Sequence, residues 1–291
     1  FAIGAYVLWG LFPLYWKQLE AVPALEIVAH RIVWSFVFIL GVMLLTKRVR
    51  GLWKSLRRLQ VLLTYAASAV LLSINWLTYI WGINSGYIVE ASLGYFINPL
   101  VSVLLGVIFF RERLRPAQWT AIGLAATGVG YLTVHYGSLP WIALILAFSF
   151  GTYGLIKKRA SLGALEGQTL EMALLFIPAL LFLLNLETDH AGAFGHTGPG
   201  TVLLLAFGGV VTAIPLLMFA AAARRIPLSM IGILHYVAPS LQFSIGVWVY
   251  NENFSTSRLI GFCFIWSALL IYTLEGLHRR RKTRIETLIE L

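Results

Sequence analysis

Apolar residues gather in ten long runs, at roughly 1–17, 25–46, 60–82, 90–110, 116–134, 139–157, 168–186, 200–223, 228–250 and 255–276. Most are close to the ~20 residues that a helix needs to cross the hydrocarbon of a bilayer. The polar gaps between them alternate in charge. Nineteen of the 22 Lys and Arg residues follow an even-numbered run. Lys47, Arg48, Arg50, Lys54, Arg57 and Arg58 follow the second, and Arg111, Arg113 and Arg115 the fourth. Lys157, Lys158 and Arg159 follow the sixth, Arg224 and Arg225 the eighth, and Arg279 to Lys282 with Arg284 the tenth. Basic residues stay on the cytoplasmic side during insertion, so the pattern predicts ten spans with both termini inside.

Composition agrees. The chain is 59% apolar and 12% charged, about half the charged share of a soluble domain. Phe1 is not a natural start and the first run is short, so a few N-terminal residues are expected to be missing. No cleavable leader pattern is visible. The single cysteine, Cys263, excludes an internal disulfide and a cysteine-built metal cage. A net charge of +10 raises nucleic acid as a partner, but the basic residues are spread over five juxtamembrane gaps rather than one soluble face. Their counterpart is the anionic lipid surface. The tail 278–291 begins basic and ends apolar, and reads either as a short helix on that surface or as a frayed end.

The chain also repeats itself. A shift of 140 residues brings Pro99 onto Pro239, Gly106 onto Gly246, Val107 onto Val247 and Glu112 onto Glu252. Each half holds five spans, an odd number, so homologous halves must cross in opposite directions. Glu112 lies in a basic gap and Glu252 in an acidic one, as that inversion requires. Two opposed halves about an axis in the membrane plane are a transporter signature. The expected divisions are 1–135 and 136–277, each one repeat, with 278–291 as a cytoplasmic tail.

The run Glu90 to Leu100 (EASLGYFINPL), followed by Phe109-Phe110-Arg111-Glu112-Arg113, resembles the RarD branch of the EamA-type transporters in the drug/metabolite transporter superfamily. So do Leu8-Trp9-Gly10, His30 to Ser35 (HRIVWS) and Ala147 to Phe150 (AFSF). The resemblance covers essentially the whole chain. It implies an all-α integral membrane protein, with ten helices in two inverted five-helix EamA repeats around a central cavity, in the cytoplasmic membrane of a bacterium. It further implies export of amino acids, other small metabolites or drug-like solutes.

Polar residues inside spans mark where such a cavity runs. Ionisable groups in hydrocarbon cost at least ~2.5–3.5 kcal/mol and so face a cavity or a partner. Arg31 and Glu171 occupy matching places in the two halves. They lie near opposite faces, so Arg31 is expected to pair with Glu90, and Glu171 with Lys157. These pairs read as gates or charge-coupling groups, with static helix contacts and snorkelling as the plainer alternatives. Trp9, Asn75, Tyr79, Tyr95, Asn98, Tyr153, His235 and Tyr236 are expected to line the cavity, against a reading as ordinary packing. His235 is a candidate proton carrier, rivalled by Glu90 and Glu171, so protons are a candidate coupling ion. Pro99 and Pro239 are placed mid-span, as hinges or fixed kinks, and Pro13, Pro178 and Pro215 are further kink candidates. Small residues in the fifth run (Gly123, Ala125, Ala126, Gly128, Gly130) and the eighth (Gly208, Gly209, Ala220 to Ala223) predict close helix contact.

No nucleotide-binding or zinc-hydrolase motif is present, and no nucleophile, base and acid are placed together. No cofactor is therefore expected. The competing classes are an intramembrane enzyme acting on a lipid, a channel-like permease, and a non-transporting receptor.

Overall fold

The computed structural model describes residues 1–47, 58–111, 114–223 and 234–289. Glu112, Arg113, the basic residues Arg48 to Arg57, Arg224 and Arg225, and the start of the ninth run lie outside the described residues. Within them the chain is helical, joined by short turns, with no strand. The helices are α1 (Ala2–Gly10), α2 (Phe12–Trp16), α3 (Ala24–Leu45), α4 (Leu59–Asn84), α5 (Ile88–Phe110), α6 (Pro116–Tyr136), α7 (Trp141–Arg159), α8 (Ala164–Thr188), α9 (Pro199–Ala223), α10 (Val237–Ser244) and α11 (Thr256–Ile289). Six of these, α3, α4, α5, α8, α9 and α11, contain stretches long and apolar enough to cross a membrane. Trp141–Lys157 and Val237–Val249 are shorter apolar helices. The chain is a multi-pass membrane protein.

Local chemistry explains most helix ends. Pro116 opens α6 at the first helical position, where a missing N–H costs nothing. The Arg115 N–H bonds the Gln118 side chain there at 3.1 Å. Gly137 closes α6 in the left-handed conformation, φ 65°. The first run is not one helix. It breaks at Leu11, between α1 and α2. Pro13 has no N–H to offer the Trp9 carbonyl four residues back. That carbonyl accepts a backbone N–H at the helix cap and also Gln242 Nε2 at 3.0 Å, from α10.

The two matched prolines behave differently. Pro99 sits inside a continuous α5. Pro239 lies in the first turn of α10, after a turn at His235 and Tyr236. Pro99 therefore lies within a helix, whereas at Pro239 the helix restarts after that turn. A π-helical turn, Ile245–Val249, follows α10. At the far end α11 continues without a break through the tail to Ile289. The tail is thus neither a separate surface helix nor a frayed end up to that residue. No proline follows Thr256, and only Gly261 and Gly276 weaken the run.

The packing has two centres. One gathers Trp16, Leu19, Ile27, Ile32, Trp76 and Ile80 from α2, its following turn, α3 and α4, together with Met172 of α8. The other gathers Leu93, Phe96, Leu100, Ala121, Ala147, Phe262 and Ile265 from α5, α6, α7 and α11. Helix α3 packs on α8 and α9, α4 on α7 and α8, α5 on α7 and α10, α6 on α11, and α1 on α9 and α10. The loop carboxylate Glu252 closes one end of the bundle. It accepts the N–H groups of Ile88 (2.5 Å) and Val89 (2.8 Å), the first residues of α5. Burial raises its pKa, opposed by those two amides. An anion at a helix N-terminus meets both unpaired donors and the positive end of the dipole. Glu252→Gln should therefore lower stability by about 0.5–2 kcal/mol, the range for losing a cap, as read by thermal unfolding in detergent.

Candidate functional site: a cavity between the two halves

A cavity of about 880 Å³ runs between the halves of the chain. It follows α3 from Arg31 to Thr46, a distance of about 22 Å at 1.5 Å per residue. At the Arg31 end its walls are buried: Phe12 and Arg31 are both covered. At the other end Thr46 and Ala164, which also line it, are exposed. Among the described residues the lining is covered at the Arg31 end and exposed at the Thr46 end.

Six of the eight residues expected to line it do so: Trp9, Asn75, Tyr79, Tyr95, Tyr153 and His235. Two do not. Tyr236 packs instead with the cluster of α5, α6, α7 and α11. His235 takes the cavity side of that turn. Asn98 lies about 60° around α5 from Tyr95. It is buried and accepts the Ser102 hydroxyl at 3.2 Å.

The polar groups of the wall are tied together. Asn75 Nδ2 of α4 donates to the Leu146 carbonyl (3.1 Å) and to Ser149 Oγ (3.0 Å) on α7, and its Oδ1 accepts from Tyr95 OH of α5 (3.3 Å). One amide thus joins three helices. Edge-on aromatic contacts extend the wall: Tyr79 on Tyr95 at 5.7 Å, and Tyr6 on His235 at 5.6 Å.

The charged residues separate into two arrangements. Toward the exposed end Lys157 Nζ meets Glu171 Oε1 at 2.9 Å. Glu171 is 0% exposed. It also accepts Ser68 Oγ at 2.6 Å and Tyr153 OH at 3.3 Å. The Lys157 ammonium stands over the rings of Tyr65 (4.9 Å) and Tyr153 (5.6 Å). At the covered end Arg31 does not pair with Glu90, and that expectation is corrected. Glu90 is engaged by the N–H of Ile142, at 3.2 Å, in the first turn of α7. Arg31 instead lies on aromatic faces, 3.9 Å from the centre of Trp76, 5.1 Å from Trp16 and 5.7 Å from Phe12. Snorkelling is excluded for it, since the residue is 4% exposed.

The comparisons with known proteins decide the family. The EamA-like transporter family matches residues 1–134. An uncharacterized transporter of Bacillus subtilis, YojE, is 48% identical over 96% of this chain and 94% of its own. Protein RarD of Streptomyces exfoliatus is 47% identical over 98% of this chain and 90% of its own. The chain belongs to the RarD branch of the EamA-type transporters. It is a membrane transporter and not an enzyme. A solved crystal structure shares the fold of this RarD-branch chain, with a TM-score of 0.60 at 20% identity over 96% of each chain.

Sequence reading missed several residues in the wall of this RarD-branch protein. Gln168 and Gln242 both line the cavity, and each is an intramembrane amide, the same signal that singled out Asn75. Tyr6, Phe150 and Phe219 line it too, but nothing in the sequence separates them from the other aromatics of their spans.

Proposed function

We propose that the chain is a secondary-type transporter of small metabolites, such as amino acids and aromatic compounds, or of drug-like solutes. It works by alternating access between two inverted five-helix repeats, 1–135 and 136–277, with export as its working direction. It resides in a bacterial cytoplasmic membrane, with both termini cytoplasmic. The observation that carries this is a cavity walled by both halves, its described lining covered at one end and exposed at the other. A molecule that reverses which end is closed carries solute across without ever forming a pore.

Helix packing supports the inversion. Exchanging the halves turns the contacts of α1 with α9 and α10 into those of α7 with α4 and α5, and turns α3 on α9 into α8 on α4. The pairs α3–α8, α5–α10 and α6–α11 map onto themselves. The α5–α11 contact is the exception among the principal described pairs between halves. The exposed end lies beside Lys47 and Lys157, where basic residues mark the cytoplasmic side, so this shape is inward-open. Lys157 and Glu171 then belong to the inner gate, and Pro99 and Pro239 to the segments that change shape.

The test is counterflow into proteoliposomes against a panel of amino acids and antibiotics, with and without a pH gradient. Saturable movement of at least one solute is expected, and movement of none would remove the assignment. A gradient-driven component points to protons as the coupling ion. In that case His235→Gln is expected to lower it. Full retention would leave Glu90 and Glu171 as the carriers.

A further inference from the structure

We propose that the cavity holds its solute by a carboxylate set against Arg31, and that the solute is a net anion with an aromatic or apolar body. The proposal deepens the transport reading of this cavity and rests on it. Arg31 is 4% exposed, lines the cavity, and has no hydrogen-bond partner for Nε or Nη1 among the described residues. None of Glu90, Glu26 and Glu171 pairs with Arg31, although Glu26 keeps one buried oxygen without a partner among the described residues. Glu90 holds the Ile142 amide, Glu26 the Ala193 amide at 2.6 Å, and Glu171 is paired with Lys157. No Asp or Glu lines the cavity among the described residues.

A buried cation without a counter-ion is costly by several kcal/mol. The face of Trp76 returns about 2 kcal/mol of that at most sites of this kind. The rest is met when an anion arrives. A guanidinium presents a planar fork of donors, which matches the two oxygens of a carboxylate. The Tyr79 hydroxyl, of a residue on the same wall, is buried and also lacks a partner among the described residues.

The charge count sets the class of anion. Lys157 is neutralised by Glu171, which leaves one uncompensated cation in the wall. A monoanion balances it, and a phosphate dianion does not. A solute without an anionic group leaves the guanidinium unmet, and a zwitterion brings an ammonium for which the described wall holds no carboxylate. The remaining wall, with Trp9, Phe150 and Phe219, is apolar and aromatic, and fits a ring or hydrocarbon body rather than a small inorganic ion.

The probes are phenylacetate, phenylacetamide and phenethylamine, which share one body and differ in charge. Binding is measured on the full chain in lipid nanodiscs, by the shift in thermal unfolding across a concentration series. Phenylacetate is expected to bind at least tenfold more tightly than the amide, and phenethylamine not to saturate. In Arg31→Gln the advantage of the acid over the amide should shrink below about twofold, and Arg31→Lys should keep part of it. An acid-to-amide ratio near one in the unaltered protein overturns the proposal, as does an acid that never saturates. So does a folded Arg31→Gln variant that keeps the preference. If that variant does not fold, the ratio in the unaltered protein decides alone. Uptake by proteoliposomes separates the two readings. Preferential binding of the acid with no transport of any solute removes the transport assignment and leaves the Arg31 site. Saturable transport of the amide with no preference for the acid does the reverse.

Discussion

Gly209→Ala should be among the most damaging single-methyl changes in the protein. A Cβ at Gly209 would sit 2.3 Å from the backbone carbon of Trp34 and 2.5 Å from the Ser35 nitrogen. Both are main-chain atoms of α3, so no side chain can swing aside. Helix α9 would have to back away from α3, which would also pull the Gly209 carbonyl from the Ser35 hydroxyl, now 3.3 Å away. Overpacking of this kind costs about 1–3 kcal/mol, more where backbone must move. We expect a loss of at least about 3 kcal/mol at Gly209 on that scale, seen as a lower unfolding midpoint and poorer yield in detergent. Gly123→Ala on α6 is the control. No atom lies within 4 Å of its would-be Cβ, and helix propensity alone predicts a change within about 1 kcal/mol, toward greater stability. Equal losses at the two positions would show that the α3–α9 approach is not what sets the cost.

Lys157→Met should be nearly as costly, and much of that cost should disappear in the double variant Lys157→Met/Glu171→Met. Removing one partner of a buried pair strands the other, at about 3–5 kcal/mol. The Lys157 side chain is 24% exposed where it meets the cavity, while Glu171 is fully covered. Stranding the carboxylate is therefore the worse loss, with Ser68 and Tyr153 left as its donors. We place Lys157→Met near 3 kcal/mol, at the low end of that range. The second substitution removes the stranded charge, so the two changes should fall short of additive by at least about 1 kcal/mol. A double-mutant cycle by thermal unfolding reads this directly. Additive losses would mean that the pair contributes no coupling in this shape of the protein.

Much of this architecture can be read along the chain, because bilayers leave few options. Apolar runs and the alternation of basic gaps expose the multi-pass helical fold without any tertiary information. Depth arithmetic also finds Lys157 opposite Glu171, since both sit the same distance from one face. The same arithmetic places Arg31 with Glu90 and fails. Depth alone does not reveal that the first turn of α7 arrives beside Glu90 and offers it amides. Nor does sequence separate Gly209, where a methyl meets backbone, from Gly123, which faces open space. Both look like small residues on a transmembrane stripe. The Trp9 carbonyl shows the same limit. Pro13 announces that some acceptor is freed, but Gln242, 233 residues away, is named only by the folded chain.

That last contact joins the mechanics of the two repeats. In the alternating-access reading proposed above, α10 cannot roll away from α1 without breaking that bond or carrying the broken first span along. In that reading the two segments move as a single lever when the opening reverses, and a crosslink between them should leave turnover intact where one across the cavity mouth would arrest it.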